Sequence, residues 1–150
     1  MEKHAILLRL NPRHWPKWDS KLTQSHDTDV WFTTGRRRAE DIYRGIPVVV
    51  LGTDNLGVVA FGETSSCVEW RPDPDWEESP LEYQPEGIKA KNRVCVKVRR
   101  VSVPLSAIQE QPRIANLYRT VRETTTWLTE EQFHEFSNLI SRTSNNRGQV

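Results

Sequence analysis

Asp29–Gly62, DVWFTTGRRRAEDIYRGIPVVVLGTDNLGVVAFG, places an aromatic strand, three consecutive arginines, a short helix and a β-hairpin in one unbroken run. Its second half decides the class of fold. Ile46–Leu51 (IPVVVL) and Gly57–Gly62 (GVVAFG) are apolar runs on either side of Gly52-Thr53-Asp54-Asn55, which supplies turn chemistry, so the pair reads as a hairpin. Near-continuous apolar strands are buried on both faces or closed into a barrel, and Pro47 stands at a strand start, where its missing N–H does little harm. Gly52 and Gly57 are not followed by Lys-Ser/Thr, which excludes a phosphate-binding loop of the nucleotide-hydrolase type.

The first half carries the candidate chemistry. Asp29–Thr34 alternates like a half-buried strand, with Val30 and Phe32 on one side and Asp29, Trp31 and Thr33 on the other. Two assignments fit. With Val30 and Phe32 inward, the outer face offers an aromatic plane, a hydroxyl and a carboxylate, the groups a pocket for a planar base needs. With Trp31 inward, the tryptophan is core. Gly35 then permits a sharp turn, and RRRAEDIYR reads as a short helix ended by Gly45. Arg36, Arg37 and Arg38 fall in its first turn, where the helix already carries partial positive charge, an arrangement that suits a bound anion. The plainer alternative is a solvated charge run paired with Glu40 and Asp41.

Working outward, His4–Leu10 (HAILLRL) reads as a first strand stopped by Asn11-Pro12. Trp15, Trp18 and Leu22 recur at helical spacing, predicting a helix from near Trp15 with these three on one face, either as core or with a tryptophan at a pocket mouth. Arg71–Gly87 holds four prolines and six acidic residues and reads as an excursion loop, anchored by Trp76 and Tyr83 or acting as a lid. Ile88–Val103 alternates, with Val94, Val96 and Val98 on one face and Arg93, Cys95, Lys97 and Arg99 on the other, and a shift near Arg99-Arg100 suggests a bulge. Lys97 and Arg99 either face solvent or extend the basic surface of Arg36–Arg38. Short helical turns are expected within Leu105–Tyr118. Thr129 with Gln132 forms a capping box, Leu128 and Phe133 its staple, and Phe136 and Leu139–Ile140 the apolar face of a C-terminal helix. Residues 143–150, TSNNRGQV, read as a polar tail or linker after a single domain over residues 1–142.

Composition narrows the function classes. The net charge of +1 conceals an uneven distribution: nine Lys/Arg against six Asp/Glu in residues 1–45, two against nine in 46–89, and ten against five in 90–150. A locally basic surface concentrates a polyanion even on a nearly neutral molecule. The longest apolar runs are too short to span a bilayer, the N-terminal stretch is unlike a signal peptide, and a cytoplasmic location is expected. Cys67 and Cys95 lack disulfide-scaffold or zinc spacing, so no metal or cofactor is expected.

The order strand, helix, aromatic strand, short helix ending in Gly, hairpin, excursion loop, long basic strand and C-terminal helix resembles the PUA-like superfamily over residues 4–142. DVWFTTG followed by RAEDIYRGIPVVVLGTDNLGVVAFGE is most similar to its EVE branch and to specificity modules that precede HNH nuclease domains. Trp31 and Gly45 match the EVE pattern, while Ile46-Pro47 stands in place of its acidic turn and Leu51-Gly52 in place of its aromatic strand end. The resemblance implies an α+β pseudo-barrel of about five to six mostly antiparallel strands, with flanking short helices and a C-terminal helix. It also implies a DNA-binding specificity module that flips a modified base, 5-methylcytosine or 5-hydroxymethylcytosine, into an aromatic pocket. In that scheme Trp31 stacks, Trp15 or Trp18 forms a second wall, Asp29 accepts the exocyclic amine, and Thr33 and Thr34 add polar contacts. Arg36, Arg37 and Arg38, with Lys97 and Arg99, hold phosphates. The partner is then double-stranded modified DNA, with a nuclease domain fused or associated.

Two other classes compete. An RNA-binding module of the ASCH or YTH kind would read a modified base in a single strand through the same pocket. A protein-interaction module would use the tryptophans as anchors. An enzyme is not expected, because His26, Asp27 and Asp29 form no recognisable nucleophile, metal or paired-carboxylate motif.

Overall fold

A computed structural model of the chain describes residues 3–35, 41–117 and 125–148, with side chains described through Thr143. The chain is α+β, built on one mixed, mostly antiparallel sheet. Its strands are β1 (Ala5–Leu10), β2 (Thr28–Thr33), β3 (Pro47–Gly52), β4 (Gly57–Thr64), β5 (Glu69–Arg71), β6 (Lys91–Val103) and β7 (Thr125–Leu128). The helices are α1 (Trp18–Lys21), α2 (Gln84–Ile88), α3 (Leu105–Gln109) and α4 (Glu130–Gly148), with a 3-10 turn at Trp76–Glu78. The strand order is β2-β6-β4-β3-β1-β7, with β5 added to β6.

The apolar hairpin sits at the centre because both its faces are covered. Val48 and Val50 join Ile6, Leu8 and Leu10 in one core, while Val49 and Leu51 join Ala5 and Leu7 in another. β1 pairs with β3 in parallel, the arrangement that buries strands on both sides. The hairpin turn needs left-handed backbone at Asp54 and Asn55, with φ of 58° and 65°, which short polar side chains tolerate. The second core is closed by Ile108 of α3, Ile114, and Phe136, Leu139 and Ile140 of α4.

The first core bends the sheet. Val30 and Phe32 of β2 share it with Ile6, Leu8 and Leu10 of β1, although β6, β4 and β3 lie between those strands. The sheet therefore curls until its first and fifth strands meet over common side chains, while its hydrogen-bonded ladder stays open. Among the described residues seven strands take part, where about five to six were expected.

Several local expectations hold. Val94, Val96 and Val98 are fully buried. The register of β4 against β6 shifts between Val58 and Ala60, opposite Arg100–Val103, close to the bulge read from the sequence. Gln132 N–H donates to Thr129 Oγ1 at 3.1 Å and Thr129 N–H to Gln132 Oε1 at 3.0 Å, the reciprocal pair of a capping box.

Others need correction. The helix expected from Trp15 begins at Trp18, the residues before it forming turns around Pro16, although Trp15, Trp18 and Leu22 do pack on one core. Thr125–Leu128 is an edge strand on β1 that the sequence reading missed, because its β-branched run merges directly into the helix cap. Helix α4 continues through the supposed tail to Gly148, propagating from a capped and docked first half. Arg93, expected on an outward face, is buried.

Candidate functional site

A cavity of about 540 Å³ opens where the curled sheet fails to close, between the free edge of β2 and the end of β1. Its walls come from three places: Arg9–Asn11 with His14, Trp15 and Thr53; Val30–Thr33 of β2; and Asp73, Asp75, Ser79, Tyr83, Glu86 and Gly87 of the excursion segment, with Lys91 and Arg93 behind them. The volume lies in the range of about 300–1,000 Å³ usual for small-ligand pockets.

Strand alternation now selects between the two readings of β2. Val30 and Phe32 are buried in the first core, so Trp31, half-buried, projects from the opposite face with Asp29 and Thr33. Trp31 pairs with Cys95 of β6, and the Arg71 guanidinium lies over its ring at 4.4 Å. Trp15 anchors the opposite wall by donating from Nε1 to Glu78 Oε1 at 3.1 Å. The His14 and Tyr83 rings stand 4.1 Å apart at 43°, joining the turn after β1 to the excursion segment.

The acidic segment is thus a wall, built around buried Arg93. The Arg93 side chain donates to three carbonyls: Nε to Arg71 O at 3.0 Å, and Nη2 to Glu86 O and Lys89 O at 3.3 Å each. Burial lowers its pKa, with Asp73 opposing and Arg71 reinforcing that shift. Gly87 packs so closely on Trp76 that a Cβ there would overlap it. Asp75, at the cavity wall, has its pKa raised by burial and by the neighbouring carboxylates of Glu78 and Asp73, against the pull of Lys21. Glu86 is held down to about 2 by hydrogen bonds from Lys91 and Lys89.

Of the base-pocket residues read from the sequence, Trp15, Trp31 and Thr33 line this cavity together. Asp29, Thr34 and Trp18 are not among its lining residues. Asp29 is exposed further along β2, and Thr34 is buried, with its hydroxyl and amide directed to Asn92 O. Trp18 packs on the core beneath Arg100, 4.9 Å from its ring. Arg36, Arg37 and Arg38 lie outside the described residues. Lys97 and Arg99 share the outer face with Trp31; Arg99 Nε is held by Asp27 at 3.1 Å, whereas Lys97 has no ion pair among the described residues. The excursion residues and Arg93 were not picked out as site residues. The aromatics Trp76 and Tyr83 inside an acidic, proline-rich stretch, and a cation opposite a buried valine row, were the signals available.

Among the described residues, no group of three or more His, Cys, Asp or Glu is placed to hold a metal ion, and no helix is long and apolar enough to cross a membrane. Burial raises the Cys95 thiol pKa, a state unsuited to a nucleophile.

The chain is similar to a solved structure, a hypothetical protein from Leishmania major, with a TM-score of 0.64 over 95% of this chain and 98% of that one, at 12% identity. The likeness is one of fold. No protein-family model matches the chain, and no curated protein matches it.

Proposed function

We propose that this chain is a nucleic-acid-binding module of PUA-like type that holds one base, turned out of its stack, in the cavity beside β2. The observation that carries the reading is the convergence of Trp15, Trp31 and Tyr83 with polar groups of both signs around one cavity at an open sheet seam. Stacking on an aromatic is worth about 1–3 kcal/mol per base, enough to offset the few kcal/mol spent in unstacking it. The carboxylates of Asp73 and Asp75 and the hydroxyl of Thr33 provide acceptors and a donor for the base edge. Outside the cavity, Lys97, with no ion pair among the described residues, supplies a cation on the Trp31 face for the backbone of the strand.

The sequence resemblance adds the finer part of the proposal. It points to a modified cytosine, 5-methylcytosine or 5-hydroxymethylcytosine, in duplex DNA, and to service as the specificity module of a nuclease.

The test is a titration with duplex and single-stranded oligonucleotides, carrying cytosine or adenine with and without modification, at two salt concentrations. Tighter binding to one modified duplex, weakened by salt, supports the reading. Preference for a modified single strand would transfer the function to RNA or single-stranded DNA. Affinity indifferent to both modification and salt would overturn it.

A further inference from the structure

Among the described residues β2 is an edge strand, with β6 its only neighbour in the sheet. In an antiparallel pair, alternate residues exchange main-chain hydrogen bonds and the residues between them turn their N–H and C=O groups away. The register pairs Thr33 with Arg93, and the next residue, Thr34, donates its N–H to Asn92 O at 3.0 Å. The even-numbered residues of β2 therefore bond to β6, and Asp29, Trp31 and Thr33 present their main-chain groups at the free edge. The partner strand confirms this phase. Cys95, opposite Trp31, uses its N–H and C=O on its far side, donating to Ser66 Oγ at 3.0 Å and accepting from Ser65 N–H at 2.8 Å.

Trp31 and Thr33 are also cavity residues, and their main-chain groups bond to no described residue. We infer that the main-chain edge of β2 at Trp31 and Thr33 is the specificity reader of the cavity, recognising a neutral heterocycle that carries a donor beside an acceptor. The inference rests on the base-binding reading above and assigns the contact that reads the base edge. Each of these two residues offers an N–H donor and a C=O acceptor on one line. A phosphate or carboxylate would satisfy the donors and be repelled by the carbonyls and by the wall carboxylates of Asp73, Asp75 and Glu86. The amidine-like edge of cytosine, an amine beside a ring nitrogen, matches both. Main-chain groups also keep their positions better than side chains, because the strand that carries them is fixed by the β2–β6 ladder and by Val30 and Phe32 in the core.

The test replaces Thr33 by its α-hydroxy acid through nonsense suppression, so that an ester stands for one edge amide with the side chain retained. Affinity is measured for a duplex oligonucleotide with 5-methylcytosine at one position and for the same duplex with an apolar difluorotoluene isostere there. The expected result is a loss of about tenfold for 5-methylcytosine and less than about twofold for the isostere. Equal losses on both duplexes, or no loss on either, would overturn the edge inference while leaving base binding intact. The ester also weakens the Phe32 carbonyl, which bonds to β6, so a modest loss of stability is expected; an ester protein that fails to fold would overturn the inference, because the Thr33 amide itself would then belong to the β2–β6 ladder. If the natural chain binds neither these duplexes nor any oligonucleotide of the titration above, the base-binding reading fails, and this inference fails with it.

Discussion

Arg71 and Trp31 meet across an intervening strand: the guanidinium lies 4.4 Å from the centroid of the indole, while their backbones pair with opposite edges of β6. The contact is a cation–π pair worth about 0.5–1 kcal/mol at an exposed site, and its main consequence is geometric. It favours one rotamer of an aromatic that the core does not hold, and so shapes the cavity wall. It also ties the start of the excursion segment to β2, joining two walls of the cavity.

Because Trp31 stands outside both cores, Trp31→Ala should separate binding from folding. The expected change in urea-unfolding stability is below about 1 kcal/mol, as for a surface truncation. On the proposed base-binding reading, affinity for the preferred oligonucleotide should fall by about 10- to 100-fold, the loss of one base stack. Arg71→Ala should give a smaller loss of affinity through the freed indole. A cooperative loss of fold in Trp31→Ala would instead make the tryptophan a structural residue.

The scaffold was legible because burial leaves a period in the sequence. The unbroken PVVVL of β3 reports two covered faces, the valine row of β6 reports one, and Thr129 with Gln132 reports a helix start. The site was legible only in part. Alternation gave the two faces of β2 without saying which faced the core, since Val30/Phe32 and Trp31 are both apolar choices. The phase of Trp31 was settled by contacts with β1, distant in sequence. The excursion segment was harder still. Its fold depends on one cation, Arg93, satisfying three carbonyls from residues 71–89, and carbonyls have no sequence signature.

That dependence makes Arg93 a sensitive polar residue. Arg93→Ala leaves three partly buried acceptors without their donor, and should cost about 3 kcal/mol in chemical denaturation. Arg93→Lys should restore less than half, because an ammonium is a point donor and cannot span carbonyls on two sides. Amide hydrogen exchange of residues 73–88 should accelerate in Arg93→Ala before the sheet core exchanges. Protection unchanged in that segment would show that Trp76, Tyr83 and Gly87 suffice to hold it.

Glu86 gives the excursion segment an acid-sensitive tie. Its carboxylate takes Lys89 Nζ at 3.0 Å on one oxygen and Lys91 Nζ at 2.8 Å on the other, joining α2 to the start of β6. These bonds hold its pKa near 2, below the ordinary 4.5. A carboxylate whose folded pKa is depressed contributes stability above its unfolded pKa and loses it as pH falls through the folded value. The tie should therefore be complete at pH 5, weaken below about 4.5 and be gone once pH passes 2. The group is exposed, so salt competes for it, and at high ionic strength its midpoint should move toward the ordinary value. An NMR titration of the Glu86 side-chain carboxyl would check this, together with the exchange rates of neighbouring amides between pH 5 and 2. In Glu86→Gln those amides should exchange at an acid-independent, faster relative rate. A Glu86 midpoint at the ordinary glutamate value in low salt would mean that the two lysines stay in solvent and that Arg93 alone secures this end of the wall.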